Sequence, residues 1–426
     1  MKPTDLRGIL QYVPQFRERT FVIALDGAVV TDDNFSNLLL DIAVLRSLNI
    51  HVVLVHGASA QIEALAREQQ VRASDLDGDG ITDAATLRLA LTAANRLTHE
   101  ILEGLAATDL RGACPNAIVA FPAGILHGVD QLFTGKVERV DTALLQTLLD
   151  HDIIPVIPPL GFDGEGHTYR VNSDSVALAV ATGLKAVKLI FVTTRDALEH
   201  QGKPIRQAMV AELEQLLAQA PGGFPPELLS KARHAAAACR AGVQRVHIIN
   251  GRISEGLLAE VFSNEGIGTL VYADEYQQIR RAQKKDARTI YALIQQAMAT
   301  EELLRRSRAA IEKQIGDYFL FEIDRNPVAC VALHVYPEEG KGELACLYVK
   351  PSHENQGIGR KLIQFIENRA RELGLRELFA LSTQTFTYFQ SKAGFSEGTP
   401  EDLPPTRREK YEQSGRRSKI LVKKLR

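Results

Sequence analysis

Between residues 21 and 272, short and nearly uninterrupted runs of Val, Ile and Leu alternate with stretches whose apolar positions recur at helical spacing. Continuous apolar runs read as strands buried on both faces, and their alternation with helices reads as a largely parallel sheet covered on both sides. The strands predicted are 21–25, 51–55, 117–120, 153–157, 186–193, 245–249 and 268–271, with helices over 34–48, 84–105 and 174–182. Gly27, Gly57, Gly161 and Gly251 punctuate the strand ends.

The rhythm changes after Asp274. A strand over 279–282, helices to about 315, and strands 318–323 and 328–336 joined by Asn326-Pro327 are predicted. A strand over 342–350, a helix over 359–373, a strand over 377–383, a short helix near Tyr388 and a last strand over 419–425 complete the set. This is an α+β domain of ~150 residues, an ordinary size for one domain. The polar stretch 273–278 marks the boundary, giving an N-terminal helical segment 1–20, an αβα sandwich 21–274 and an α+β domain 278–426.

Composition narrows the function classes. At 426 residues the chain exceeds what one hydrophobic core usually serves. Fifty Lys and Arg against 52 Asp and Glu leave a net charge of -2, which gives no nucleic acid or anionic membrane a reason to bind. No apolar run approaches the roughly 18 residues of a membrane span, and Asp5, Arg7, Arg17, Glu18 and Arg19 leave no room for a signal core. Cys114, Cys239, Cys330 and Cys346 are widely spaced, which suits reduced, buried thiols in a cytoplasmic protein and no metal site.

The sharpest local signal is Gln356-Gly357-Ile358-Gly359-Arg360-Lys361, which follows a strand and opens a helix. Glycines let a backbone approach a pyrophosphate, and the free amides of a helix start hold the anion. Arg360 and Lys361 add charge, and Gly394-Phe395 follows the next strand; a plain connecting turn is the alternative. These residues resemble the GNAT acetyltransferase superfamily, whose motif runs R/Q-x-x-G-x-G/A, although Glu354 stands where Arg or Gln is usual. The resemblance covers about residues 278–426 and implies acetyl-CoA as co-substrate. In that chemistry an acceptor amine loses a proton before attack and the leaving thiolate gains one. Glu343 at a strand start and Ser382 at a strand end are the candidates; an exposed edge acid and a solvated hydroxyl are the alternatives.

A wider set of segments is similar to the acetyltransferase half of the bacterial N-acetylglutamate synthase family. These are Leu304-Arg305-Arg306-Ser307, Gly342-Glu343-Leu344-Ala345-Cys346, Leu381-Ser382-Thr383, Tyr388-Phe389 and the run from Gly415 through Arg416, Ser418 and Val422. The resemblance implies Glu343 as general base and Ser382 as general acid, with Arg306, Arg416 and Ser418 on the carboxylates of L-glutamate. It also implies Leu347, Val349, Gln356, Gly357, Gly359 and Arg360 around CoA, and a homo-oligomer, hexameric in the family. Guanidinium forks match carboxylates bidentately, which suits a dicarboxylic acceptor. A solvated helix face and a basic tail are the plainer readings of these arginines, and another amino acid or a protein amine is the alternative acceptor.

The N-terminal domain resembles acetylglutamate kinases, with losses at the phosphate site. Ala24 and Asp26 stand in the opening K-L-G-G pattern, and His56-Gly57-Ala58-Ser59-Ala60-Gln61 lacks two of the glycines of H-G-G-G-P-Q. Gly80 replaces a substrate-binding arginine, while Asp174 and Lys231 keep kinase-like positions. An anionic Asp26 opposes a polyphosphate, so kinase activity is not expected. The resemblance implies instead an L-arginine effector site at His247, Glu265, Gly266 and Gly268; Glu265-Gly266 also reads as a helix end with its Gly cap. It further implies a subunit-joining helix over 6–16, with Ile9, Leu10, Val13 and Phe16 on one face, against the alternative of a helix packed on its own domain. Residues 75–83 mimic the start of a calcium loop, but Thr86 sits at the twelfth position where a bidentate Glu is needed.

Overall fold

In the Thr20–Leu25 strand, Phe21, Ile23 and Leu25 enter one hydrophobic core while Val22 and Ala24 enter another. The His51–His56 strand repeats the division, with Val52 and Leu54 on one side and Val53 and Val55 on the other. Two cores need cover on both faces, and that dictates a helix–sheet–helix sandwich. The computed structural model folds as two units, Met1–Asp274 and Glu275–Arg426. It describes residues 13–262, 266–273, 277–300, 303–323, 326–354, 357–383, 386–415 and 418–425.

The first unit is built on an eight-stranded sheet. Its order is Gln207–Met209, Thr269–Tyr272, Arg245–Asn250, Lys188–Thr193, Thr20–Leu25, His51–His56, Ile153–Ile157 and Arg111–Ala113. All neighbours run parallel except the pair Arg245–Asn250 and Thr269–Tyr272. The strand expected at 117–120 is Ile118–Pro122, and it lies in a second, four-stranded sheet with Gly135–Val140, Leu160–Phe162 and Thr168–Arg170. Its burial alternates over Ile118–Ala120 and ends in exposed residues, as suits a strand covered on one side. The helices Val210–Gln219, Pro226–Arg240 and Pro405–Ser414 were not anticipated. The last has no apolar stripe to betray it; Pro405 at its first turn is its only start signal.

The second unit carries a seven-stranded sheet. Its order is Gln277–Arg281, Tyr318–Ile323, Asn326–Tyr336, Lys341–Val349, Glu377–Ser382, Lys419–Lys424 and Ser396–Glu397. Asn326 and Pro327 are strand residues rather than a connection, pairing with Ile323 and Glu322 beside a bulge. Proline is tolerated there because it sits at the strand start. Two irregularities shape the site. Lys341–Val349 and Glu377–Ser382 run parallel but pair only from Lys341↔Glu377 to Glu343↔Phe379, so a wedge opens beyond Glu343. On its other side Lys341–Val349 is bulged against Asn326–Tyr336, and Cys346 takes φ 53°. A bulge bends a strand and breaks its ladder, which suits a strand leaving its neighbour.

Arg170 decides the loop over 75–83. Buried at 3% exposure, it donates to the Asp75 carbonyl at 2.8 Å, to the Asp75 carboxylate at 3.2 Å and to the Leu76 carbonyl. The Gly78 amide also donates to Asp75. A carboxylate that a calcium loop needs as ligand is thus held by a guanidinium. Arg170→Ala should destabilise the first unit by roughly 3–5 kcal/mol, the usual loss when one partner of a buried pair is removed. Calcium added to the wild type should leave the Tm where it was. A calcium-dependent rise in Tm would reverse this reading of the loop.

Candidate active site

Glu343 stands at the vertex of the wedge, the last residue of Lys341–Val349 to pair with its parallel neighbour. It is 5% exposed, and burying a carboxylate is costly without charged partners. Arg407, from the unpredicted Pro405–Ser414 helix, supplies them: Nε donates to Oε2 at 2.7 Å and Nη2 to Oε1 at 2.9 Å. The Tyr336 hydroxyl also donates to Oε2, at 3.3 Å. Each carboxylate oxygen has two acceptor positions, so among the described residues Oε2 is filled and Oε1 keeps one. Burial draws the Arg407 guanidinium down, but its bonds to Glu343 outweigh that and hold it above its ordinary value.

Arg306 reaches the same neighbourhood from the segment before the Arg308–Lys313 helix. Its Nη1 donates to the Tyr318 hydroxyl at 3.0 Å and lies 3.4 Å from His334 Nε2. His334 is the cross-strand partner of Glu343, and its Nδ1 lies 2.8 Å from Asp317. Burial lowers the Arg306 guanidinium, while Cys346, Tyr318 and Glu343 more than offset it and hold it above its ordinary value. Burial pushes the Tyr318 hydroxyl up to about 12 against the opposing pull of Arg306.

Ser382 is buried at the end of the other arm of the wedge, opposite Lys419. Phe379 is the partner of Glu343, so the pleat turns Ser382, three residues on, to the opposite face. Ser418 is buried next to Lys419, and its carbonyl accepts from Tyr411 at 2.8 Å. Leu347 and Val349 lie on the length of strand that has left Glu377–Ser382. Gly357, at φ 74°, caps the Ile358–Glu372 helix with open space where a Cβ would stand. A Cβ on Gly359 would come within 3.1 Å of the Tyr388 hydroxyl, and Arg360 is close enough to Tyr388 to lower it against the rise caused by burial. A helix start, whose first amides have no intrahelical partner, a glycine cap and Arg360 would suit a CoA pyrophosphate. Gln356, Arg416 and Glu265 lie outside the described residues. Arg407 and Tyr336 are the residues sequence reasoning missed: nothing in a polar segment 64 residues away points it at Glu343.

In the first unit, the phosphate-site positions close on themselves. The Lys231 ammonium lies 2.7 Å from Asp26 and 3.2 Å from Asp174, whose other oxygen accepts from Ser230 at 2.7 Å. Burial would pull Lys231 down, but Asp174 and Asp26 hold it above the ordinary lysine value. His247, Gly266 and Gly268 converge on Glu260, which was not anticipated. His247 Nδ1 donates to Glu260 Oε1 at 2.7 Å, and the amides of Ile267 and Gly268 donate to Oε2 at 2.7 and 3.0 Å. The Lys188 ammonium donates to His247 Nε2 at 3.0 Å.

Together the two folds define an acetyltransferase of the GNAT class carried behind an amino-acid-kinase-like unit. Residues 19–250 match the amino acid kinase family and residues 277–395 the acetyltransferase (GNAT) family. The chain is 35% identical to the amino-acid acetyltransferase of Ralstonia nicotianae, across 99% of this chain and 94% of that one. It is also 35% identical to the enzyme of the same name from Pseudomonas aeruginosa, across 99% and 98%. N-acetylglutamate synthase from Neisseria gonorrhoeae, solved with coenzyme A and L-arginine, superimposes with a TM-score of 0.88 at 32% identity over 99% of both chains. Its complex with coenzyme A and N-acetyl-glutamate gives 0.63 at 33% identity, again over 99% of both. The chain belongs to the amino-acid acetyltransferase family.

Glu260 makes a stability prediction. Burial raises its carboxyl, but His247 and the Gly268 and Ile267 amides outweigh this and bring it from 4.5 to about 2. A depressed folded-state value stabilises the fold above the unfolded value and loses that contribution as pH falls through it. Glu260→Gln should therefore cost on the order of 3 kcal/mol at neutral pH. The gap from wild type should shrink in denaturant melts below about pH 4.5. A gap that is constant from pH 7 to pH 3 would contradict it.

Proposed function

We propose that this protein transfers the acetyl group of acetyl-CoA to the α-amine of L-glutamate, the entry step of L-arginine biosynthesis. The observation that carries the reading is Glu343, buried at the vertex of the wedge with Arg306 and Arg407 around it. A base at that point takes a proton from an amine presented at the mouth of the wedge, directly or through a water. Guanidinium groups beside it suit an acceptor bearing carboxylates. Arg306, with Arg416 and Ser418 from the opposite end of the unit, takes the role of carboxylate binder. The amine nitrogen then bonds to the thioester carbon, the carbon–sulfur bond breaks, and Ser382 on the other face returns a proton to the thiolate. In this reading Leu347, Val349, Gly357, Gly359 and Arg360, with Gln356 by resemblance, take the role of CoA binders.

The first unit has the fold of a kinase and a closed ion triad in place of a phosphate site. Its role in this reading is to bind L-arginine near His247, Glu265, Gly266 and Gly268, with Glu260 fixing that loop to the sheet. In this reading segment 1–20 joins subunits of a cytoplasmic homo-oligomer, while Phe16 packs within its own unit against Phe21 and Phe262. Among the described residues no helix is long and apolar enough to cross a membrane.

Thiol release from acetyl-CoA should be largest with L-glutamate in a panel of amino acids, and ATP should not phosphorylate N-acetyl-glutamate. Glu343→Gln should lower kcat by ~10²-fold or more with little change in the KM for acetyl-CoA, the usual size of a general-base contribution. An unchanged kcat would remove Glu343 from the chemistry.

Arginine binding, followed by calorimetry on the full chain, should weaken or strengthen glutamate binding by the same factor that glutamate imposes on arginine. Glu260→Gln should reduce the arginine response while basal turnover persists. A variant that responds fully places the effector elsewhere.

A further inference from the structure

We infer that Arg407 is a positioning and specificity residue that ties the base to the acceptor's own carboxylate, an inference that rests on the proposed role of Glu343. A guanidinium offers five N–H donors along its planar edges. Arg407 spends Nε and Nη2 on the two oxygens of Glu343, at 2.7 and 2.9 Å. Its Nη1 has no protein partner among the described residues, so the two N–H groups of Nη1, beside the second one of Nη2, remain for an anion. The side chain is 16% exposed, enough to meet a small ligand and too little to be a solvated surface arginine.

Three bonds determine where Glu343 points. Arg407 Nε and the Tyr336 hydroxyl occupy both acceptor positions of Oε2, and Arg407 Nη2 occupies one on Oε1. Among the described residues the remaining position on Oε1 is the one left to take a proton or hold a water, which gives the base one working direction. A carboxylate of the acceptor bound at Nη1 shares a rigid plane with that base. The amine then sits at a fixed distance from Oε1, which is worth far more than affinity alone. An acceptor without a side-chain carboxylate cannot use the free edge of Arg407 in addition to Arg306, so it loses both binding and register.

The test compares L-glutamate with L-glutamine, which differ by one charged group at almost the same shape. Arg407→Gln should lower kcat for glutamate by about ten-fold or more and raise its KM by a similar factor, the size of a lost charged hydrogen bond. The KM for acetyl-CoA should stay within about two-fold, and the ratio of kcat/KM for glutamate over glutamine should fall by about ten-fold or more. Arg407→Lys keeps one charge without the fork, so it should restore part of the KM for glutamate and little of kcat. In a Glu343→Gln background, Arg407→Gln should add little further loss in kcat yet still erase the preference for glutamate, since the two residues act as one unit in the chemical step. Equal losses for glutamate and glutamine, or a matching rise in the KM for acetyl-CoA, would overturn the proposal and leave Arg407 a structural partner. Failure of Glu343→Gln alone to lower kcat would instead remove the base, while an intact effect of Arg407 on glutamate preference would survive it. If Arg407→Gln does not fold, the lysine variant carries the same comparison.

Discussion

A carboxylate placed where two parallel strands part company has to be paid for in charge, and the second unit is arranged around that requirement. The pairing of Lys341–Val349 with Glu377–Ser382 stops at Glu343, so the residue sits where the two strands separate and the wedge begins. Removed from water, its charge calls for cationic donors. Arg407 meets it from the Pro405–Ser414 helix, whose Tyr411, with Leu403 just before the helix, packs with Phe379 and Ile420. The bulge at Cys346 follows from the same geometry, since a strand that leaves one neighbour while holding the other must bend. Arg306, Tyr318 and His334 continue the polar face that begins with Glu343.

Strand identity was readable from apolar runs because a strand buried on both faces has little choice of residue. Ile153–Ile157 and Tyr318–Ile323 begin and end where their patterns do, and Thr20–Leu25 begins one residue before its own. The segments that failed were those whose pattern depends on partners far along the chain. Ile118–Pro122 is apolar enough for the central sheet, yet its place in a separate sheet depends on pairing with Gly135–Val140. The Pro405–Ser414 helix is polar throughout, so periodicity could not reveal it, and with it went Arg407. The GxG turn was legible because its chemistry is local: a backbone cap at positive φ and a helix start lie within a few residues. The partners of Glu343 were not, because an ion pair across 64 residues leaves no mark in either segment.

The kinase-like unit shows a related economy. A phosphate site needs glycine backbone and uncommitted positive charge; here Asp26 lies on Lys231, and Asp174 takes its other side. The ammonium that could have met a polyphosphate is neutralised within the protein. What the departures in sequence expressed as missing glycines, the structure expresses as a filled electrostatic balance. The sheet itself is untouched by this, because its two cores rest on Phe21, Val22, Ile23 and their neighbours rather than on the loop.

Among the described residues Glu260 and Glu343 each accept three hydrogen bonds, and the nature of their donors separates their roles. Glu260 is held by two backbone amides and a histidine that is itself anchored by Lys188. Those donors cannot leave without moving the 266–268 segment, so the charge of Glu260 is coupled to the shape of a loop. Among the described residues Glu343 is held by the side chains of Arg407 and Tyr336 and by no backbone amide, so its charge is not tied to the shape of a loop. A buried acid tied to backbone suits a site where ligand binding must be felt through the fold. A buried acid tied to side chains, with one acceptor position open, suits a site where a proton must come and go within each turnover.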